Sequence, residues 1–362
     1  MTVSLGSGSS TCGRRLIVST ASTRAWAIPM LNELQPLPVA VSPQEDESGL
    51  GFLLRCSHAN GVALPELANL AGARSIRWMT ARDMEAFAFL TGVPPEWLIT
   101  RLKTRRHVDR RRRYSYLGWE WGSIASLRVK HAQVCPECLL ECAYCKAEWE
   151  VTAAPACPTH QTMLMDRCPH CGTALSWLRP TVEICSCGRY LRRSAMSTKP
   201  SARILAWCAA MKGRLERNSA PVLAGMRACA LPSWLAHVSP DGASRLIHAL
   251  GALGRAGERM SSARAVEIPS PGEMAAVVER GLARADAMLD RAAEKTQALR
   301  LLVYEPGLQR LAKQGVEAAD QKTALQLLKL LGSEPLERRR LGQKRGGRPS
   351  KGQLELFDHA ES

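Results

Sequence analysis

The sequence lacks any apolar run long enough to cross a membrane. A membrane-spanning helix needs about 20 consecutive apolar residues, whereas the best candidate runs only from 204 to 211. The apolar run at 16–18, which follows Arg14 and Arg15, is also too brief for a secretory signal peptide. We therefore expect a protein that does not associate with membranes and remains in the cytoplasm, where cysteines stay reduced.

The sequence also lacks the motifs of several enzyme classes. It contains no His-Glu-x-x-His, no phosphate-binding Gly-x4-Gly-Lys-Ser/Thr loop and no Gly-x-Ser-x-Gly elbow. A zinc deaminase would need His-x-Glu ahead of Pro-Cys-x-x-Cys, but Ala-Asn follows His58 and Ala-Gln follows His131. We therefore predict that the protein has no catalytic residues and is not an enzyme.

Acidic residues are in the minority. The 362 residues include 49 Lys and Arg but only 33 Asp and Glu, which gives a net charge of +16. Seven thiolates and two Zn²⁺ ions, argued for below, would lower this charge by three, to +13. Such an excess favours a polyanionic partner such as DNA. A chain of this length is more typical of two or three domains than of one.

Helical periodicity dominates the sequence and predicts a mainly α fold. After a flexible leader at 1–35, Leu50, Leu53 and Leu54 recur at helical spacing until Asn60-Gly61 interrupts them. Further helices are predicted over 64–70, 84–90 and 95–102. We interpret residues 36–130 as a helix-turn-helix-like module; the alternative is a small helical bundle that does not contact DNA.

The second half of the chain is rich in Ala and Leu. It predicts a helical C-terminal domain at 194–335, with helices around 201–217, 243–254, 272–303 and 319–332, separated by prolines that include Pro306. Residues 336–362 combine basic side chains with Gly and Pro, which predicts a disordered basic tail. Between the two helical regions, residues 131–193 are predicted to form a tandem zinc-binding domain.

A dense basic segment follows the first helices. Guanidinium groups make bidentate contacts with phosphates, so this segment and the tail are predicted to bind nucleic acid. The alternative is a solvated helix face whose arginines pair with carboxylates elsewhere. The predicted DNA-binding residues are Arg101, Lys103, Arg105, Arg106, Arg110, Arg111, Arg112, Arg113, Arg345 and Arg348.

Eight residues between 135 and 187 have the spacing of zinc ligands. Cys135, Cys138, Cys157 and His160 form C-x2-C-x18-C-x2-H, and each pair carries a proline after its first cysteine. Two intervening residues let a pair of ligands reach one ion from a tight turn, and Zn²⁺ takes four such ligands in a tetrahedron. We predict a structural zinc site in which His160 is held by an acceptor that the sequence does not identify.

A second cluster follows at once. Cys168, Cys171, Cys185 and Cys187 form C-x2-C-x13-C-x-C. Gly172 and Gly188 each follow a ligand, where a positive φ is expected. We favour two sequential zinc sites over a cross-braced arrangement of the same pairs. A further pair, Cys142 and Cys145, is interpreted as packing or as a vestigial knuckle, and the isolated Cys56 and Cys208 as small core residues.

The order of these residues resembles the TniQ/TnsD family of transposition targeting proteins. The resemblance covers about residues 36–190. It depends on Leu37-Pro38, Glu47-Ser48-Gly49-Leu50, Leu53-Leu54-Arg55, Ala59-Asn60-Gly61, Cys135-Pro136-Glu137-Cys138-Leu139, Trp149, Cys157-Pro158-Thr159-His160, Asp166-Arg167-Cys168-Pro169-His170-Cys171-Gly172 and Cys185-Ser186-Cys187-Gly188.

The resemblance implies a non-catalytic target-selection adaptor of a mobile element. Such an adaptor links target DNA, or an RNA-guided complex bound to it, to an AAA+ ATPase and so indirectly to a DDE transposase. One alternative is a zinc-ribbon transcription regulator, which would bind one operator tightly without an ATPase. Another is a zinc hydrolase or deaminase acting on nucleic acid, which would need an open position at the metal.

Overall fold

The computed structural model describes residues 35–191, 199–217, 231–260, 268–288 and 293–333. The predicted leader up to residue 34 and the basic tail, with Arg345 and Arg348, lie outside the described residues. No helix in the described part of the chain is long and apolar enough to span a membrane.

Four helices begin the described fold, close to where the sequence predicts them. They are α1 (Gly49–Ala59), α2 (Leu64–Leu70), α3 (Ala81–Thr91) and α4 (Pro95–Arg101). The side chain of Ser48 caps α1 by accepting the Gly51 N–H at 3.2 Å. Thr80 and Asp83 form a reciprocal capping box on α3, and Gly92 ends that helix with a φ of 72°.

The first and fourth helices pack closely at their ends. A Cβ at Gly49 would lie 2.5 Å from the carbonyl oxygen of Arg101, so glycine is required where α1 begins against the end of α4. The rings of Phe52 and Trp97 meet edge to face, with centroids 5.0 Å apart. This packing confirms a helical module, while its helix-turn-helix character remains a prediction.

The basic segment forms a β-hairpin, which the sequence analysis missed. Strands β1 (Thr104–Val108) and β2 (Arg111–Tyr116) form this basic hairpin. A third strand, β3 (Trp119–Trp121), pairs antiparallel with β2 and completes a three-stranded sheet. The turn between β1 and β2 contains only Asp109 and Arg110, with φ values of 49° and 62°. A two-residue hairpin turn of type I′ requires positive φ at both positions. Aromatic residues in β2 and β3 favour strands at this position.

Short elements connect the sheet to the C-terminal helices. They are α5 (Pro136–Cys142), β4 (Ala156–Cys157) and β5 (Thr162–Met163), with β4 and β5 paired antiparallel. Isolated bridges join Arg167 to Ala174 and Ile184 to Tyr190. This segment is thus fixed by turns and a few ladder hydrogen bonds rather than by long regular elements.

The C-terminal region is helical, as predicted. Among the described residues its helices are α6 (Ala202–Leu215), α7 (Pro240–Gly251), α8 (Pro271–Ala287), α9 (Ala293–Arg300), α10 (Glu305–Gln314) and α11 (Ala318–Leu330). The sequence prediction of one run over 272–303 is wrong in detail, since two helices occupy it, and α10 was missed. Pro306 was interpreted as a break, but it lies in the first turn of α10, where proline is tolerated.

One hydrophobic core extends from the sheet to these helices. Tyr116 and Trp121 belong to the same buried cluster as Trp207 and Leu246. The indole Nε1–H of Trp207 donates to the Ala153 carbonyl at 2.8 Å, which ties α6 to the segment before β4. Residues on both sides of the predicted boundaries at 130 and 193 therefore pack in the same buried cluster.

Candidate metal centres and basic hairpin

The first cluster brings together the four predicted ligands. The sulfurs of Cys135, Cys138 and Cys157 and one ring nitrogen of His160 all lie within 4.8 Å of one another. Cys135 is the N-cap of α5 and Cys138 lies in its first turn, while Cys157 ends β4 and His160 precedes β5. The three sulfurs belong to buried residues. The start of α5 and the turn between β4 and β5 thus bring the four ligand atoms together.

The separations between these atoms match a tetrahedral metal site. Cys138 Sγ lies 3.7 Å from Cys157 Sγ and 3.2 Å from His160 Nδ1. Cys135 Sγ lies 3.5 Å from the same nitrogen. A tetrahedron with metal–sulfur bonds of about 2.3 Å has sulfurs about 3.8 Å apart. The donor set and its spacing therefore fit Zn²⁺.

The structure identifies the group that orients His160. Its Nε2 lies 2.9 Å from Glu141 Oε1, on the opposite side of the ring from the sulfurs. Because Nδ1 faces the cluster, the proton belongs on Nε2, which donates to the carboxylate. Glu141 follows Cys138 by three residues and so lies on the same face of α5. The sequence analysis did not predict a helix over 136–142. Such a helix would have placed Glu141 on the same face as the ligand Cys138.

We expect Glu141→Gln to weaken metal binding at the first cluster by about 10-fold, because the amide orients His160 less firmly than a carboxylate does. Competition with a chromophoric chelator measures the affinity. Glu96→Gln, a change of the same kind at an exposed position on α4, is the matched control. Equal affinities for the two variants would show that Glu141 does not support the site.

The second cluster consists of four cysteines. Cys168 Sγ lies 3.8 Å from Cys187 Sγ, and Cys171 Sγ lies 3.8 Å from Cys185 Sγ. Cys171 and Cys187 are exposed, so this cluster lies nearer to the surface than the first. The pKa of the Cys171 thiol is lowered to about 6, mainly by the hydrogen bond with the Thr173 hydroxyl. This cluster, too, has the spacing of a four-sulfur tetrahedron.

The glycines of the second cluster have the backbone predicted for them. Gly172 and Gly188 have φ values of 71° and 79°. The Gly172 N–H donates to the Cys168 carbonyl and the Gly188 N–H to the Cys185 carbonyl, both at 2.9 Å. Left-handed backbone at these positions closes each ligand turn, and glycine adopts it without strain.

The ligands group in sequence order, 135–160 and then 168–187, and not in a cross-braced manner. Neither metal-binding group in the described part of the chain includes Cys142 or Cys145. Cys145 is buried, and Arg179 donates to its sulfur at 3.3 Å. Burial raises the pKa of both Cys56 and Cys208 to about 12, which keeps these thiols protonated. These placements agree with packing roles for Cys145, Cys56 and Cys208, whereas the thiol of Cys142 is exposed and does not pack in the core.

The hairpin displays most of the predicted DNA-binding arginines. Register places Arg106 opposite Arg113 and His107 opposite Arg112. Like charges directly across an antiparallel pair are destabilising unless an anion compensates them. Glu120 on β3 pairs with Arg106 and lies 3.5 Å from Arg113 Nε. The exposed members of the set are Arg105, Arg106, Arg110, Arg111 and Arg112.

Besides Arg106, which pairs with Glu120, three predicted DNA-binding residues are held by the protein itself. The prediction for Lys103 is wrong, because this side chain is only 2 % exposed and its ammonium pairs with the Glu150 carboxylate. Arg101 is half-buried and donates to the Glu45 carbonyl. Arg113 is also half-buried and donates to the Gln314 carbonyl at 3.1 Å. The exposed arginines remain the candidates for contact with DNA.

Glu150 lies at the centre of a buried network that the sequence analysis did not find. Besides Lys103, its carboxylate accepts hydrogen bonds from the hydroxyl of Ser48 and, at 3.0 Å, from that of Tyr116. These groups come from the start of α1, from β2 and from the chain just after α4. Ser48 belongs to the residues that carry the family resemblance, and its place here gives it a structural role.

A family model described as TniQ matches residues 38–164. The match covers the four N-terminal helices, the hairpin and the first cluster, and it ends before the second cluster. No curated protein matches the chain. The match confirms the resemblance to the TniQ family over residues 38–164, about a third of the chain.

Proposed function

We propose that this chain is a non-catalytic target-selection adaptor in DNA transposition. It links target DNA, or a complex bound to the target, to an AAA+ ATPase and through the ATPase to a DDE transposase. The observation that carries this proposal is the TniQ domain at residues 38–164. The metal clusters and the basic hairpin support it, because an adaptor needs rigid docking surfaces and affinity for DNA.

Within this function we assign a structural Zn²⁺ ion to each cluster. Every cluster offers four protein ligands, and the thiolate-rich donor sets favour zinc over oxygen-seeking ions. A hydrolytic site would instead keep one position open for water. The clusters thus hold the middle of the chain in a fixed shape and leave chemistry to the transposase.

The exposed arginines of the hairpin are assigned to the DNA backbone. Arg105, Arg110 and Arg111 lie on a two-stranded ribbon, which is narrow enough to enter the major groove of a duplex. Phosphate contacts position a protein without reading sequence. Target choice would therefore come from other parts of the chain, such as the N-terminal helices, or from a bound targeting complex.

Copurification with the AAA+ ATPase encoded beside this chain, with and without target DNA, tests the adaptor function. We expect a complex that target DNA strengthens. The proposal fails if no AAA+ ATPase or DDE recombinase gene lies near this one. Tight binding to a single operator without any ATPase contact would instead favour a zinc-ribbon transcription regulator.

Arg111→Ala is expected to flatten the salt dependence of DNA binding while leaving the fold intact. Each lost phosphate contact lowers the slope of log K against log salt by about 0.9. Fluorescence anisotropy with duplex DNA at several salt concentrations measures the slope, and Lys329→Ala on the exposed face of α11 is the charge-matched control. Unfolding of Arg111→Ala would show that the arginine is a structural residue.

A further inference from the structure

A second basic site lies outside the segment that the sequence analysis selected. An open cavity of about 320 Å³ separates the loop after α2 from the loop that joins the two halves of the second cluster. Arg74 and Arg77 line it on one side, Lys130 on another, and Trp177 and Leu178 on a third. These residues are far apart in sequence, so no local pattern indicated the site.

The cavity is strongly cationic. Arg74, Arg77 and Lys130 are exposed, and no described carboxylate forms an ion pair with them. The described residues that line the cavity include no acidic side chain. The pKa of the neighbouring His131 is lowered first by burial and then by the charges of Lys130 and Arg77, while Asp166 acts in the opposite direction. An anion would relieve this repulsion.

Trp177 forms one wall of the cavity. Its side chain is 3 % exposed, and its indole Nε1–H has no acceptor among the described residues. Buried donors in folded proteins nearly always have a partner. The Arg179 guanidinium, which lies 5.3 Å from the centre of the Trp177 ring, adds a further positive charge behind it. A negatively charged ligand would complement this charge together with those of Arg74, Arg77 and Lys130.

The cavity is continuous with the basic hairpin. Arg77 is followed by Trp78, whose ring lies 5.8 Å from the Arg105 guanidinium carbon and 5.1 Å from the ring of Tyr114. The hairpin and the loop that forms the cavity therefore touch through Trp78. A single extended polyanion can follow this surface, whereas a small anion would occupy only the cavity.

We propose that the cavity binds a backbone phosphate of the same DNA duplex that the hairpin contacts. Arg77 and Lys130 neutralise the phosphate, beside the wall that Trp177 forms. This inference rests on the proposed function, because it takes DNA as the partner. It extends the DNA contact from the TniQ domain to the loop of the second cluster, which lies beyond residue 164.

The test compares the zinc-loaded full chain with Arg77→Ala/Lys130→Ala. Lys322→Ala/Lys329→Ala, which removes two exposed charges from α11, is the matched control. We expect the first variant to bind duplex DNA about 10-fold more weakly, with a salt slope lower by about 1 because one phosphate contact is lost, and the control to change little. In the ¹⁵N spectrum of the wild-type chain, the indole resonance of Trp177, assigned from Trp177→Phe, should shift on addition of duplex DNA.

Each other outcome overturns the inference. Equal losses in the two double variants would mean that only overall charge matters, and an unmoved Trp177 resonance would place the DNA elsewhere. Binding of inorganic phosphate at the cavity without loss of DNA affinity in the variant would identify a site for a free anion. Loss of ATPase binding alone would identify an acidic peptide as the ligand. If the wild-type chain does not bind DNA at all, both this inference and the DNA-binding part of the proposed function fail.

Discussion

Cys157→Ser is expected to lose the metal of the first cluster and to lower the free energy of unfolding by several kcal/mol. A structural zinc ion contributes on the order of 10 kcal/mol to folding, which is forfeited when the ligand set is broken. Cys157 ends β4, and the backbone just before that strand accepts the Trp207 hydrogen bond from α6. Loss of this ion would thus loosen the contact between the TniQ domain and the C-terminal helices.

Two further cysteine variants make this experiment specific. Cys171→Ser in the more exposed second cluster should also release one ion, but with a smaller loss of stability, because less of the core depends on it. Cys142→Ser changes an exposed thiol outside both clusters and should have little effect. Metal analysis and urea denaturation report the two quantities. A Cys157→Ser protein as stable as Cys142→Ser would contradict a metal-supported core.

Breaking the buried pair of Lys103 and Glu150 is expected to have the second large effect. Lys103→Met leaves the Glu150 carboxylate buried without its cation, which costs about 3–5 kcal/mol. In Lys103→Met/Glu150→Gln the buried charge is gone and the Ser48 and Tyr116 hydroxyls keep an acceptor, so much of the stability should return. Glu216→Gln, at a half-exposed pair with Lys212, should change stability by less than about 1 kcal/mol.

The same pair makes a prediction about pH. Burial lowers the pKa of the Lys103 ammonium to about 7, and the Glu150 carboxylate beside it is the anion that favours its charged form. Without it, in Glu150→Gln, the unfolded chain binds a proton that the folded chain does not hold between pH 7 and the ordinary lysine pKa of about 10.4. The stability of Glu150→Gln should therefore rise with pH over this range. Chemical denaturation at several pH values measures it, and a flat profile would show that the buried lysine retains another anion.

The helices and the metal ligands could be predicted because their signals are local. Apolar periodicity and caps such as Ser48 and Thr80 mark α1 and α3 within a few residues of their observed bounds. The ligand pairs lie within four residues of one another, and the chemistry of zinc restricts their spacing. Neither inference needs knowledge of long-range packing.

The basic hairpin could not be predicted from the same kind of signal. Its arginines have no β preference, and Asp109-Arg110 lacks the glycine that usually marks a type I′ turn. The strands form because Tyr116 and Trp121 are buried against the C-terminal helices. Contacts with residues about a hundred positions later in the chain thus decide the local structure. The run of charged residues alone was also compatible with a helix.

The contacts that join distant segments were also beyond the sequence. Glu150 meets Ser48 and Lys103 from more than forty residues away, and Arg77 meets Lys130 only across the cavity. Lys103 was assigned to DNA because it lies among arginines, whereas the structure turns it inward to a carboxylate. A lysine within a basic segment therefore needs its burial to be known before it is assigned to a ligand.

Metal content of the purified chain tests most directly the claim that two saturated metal sites hold the middle of the proposed adaptor in a fixed shape. We predict two equivalents of zinc per chain, one for each cluster, and tetrahedral cobalt spectra after substitution, with unfolding on chelation. A chain that carries far less zinc and keeps its fold in the presence of a chelator would contradict the account.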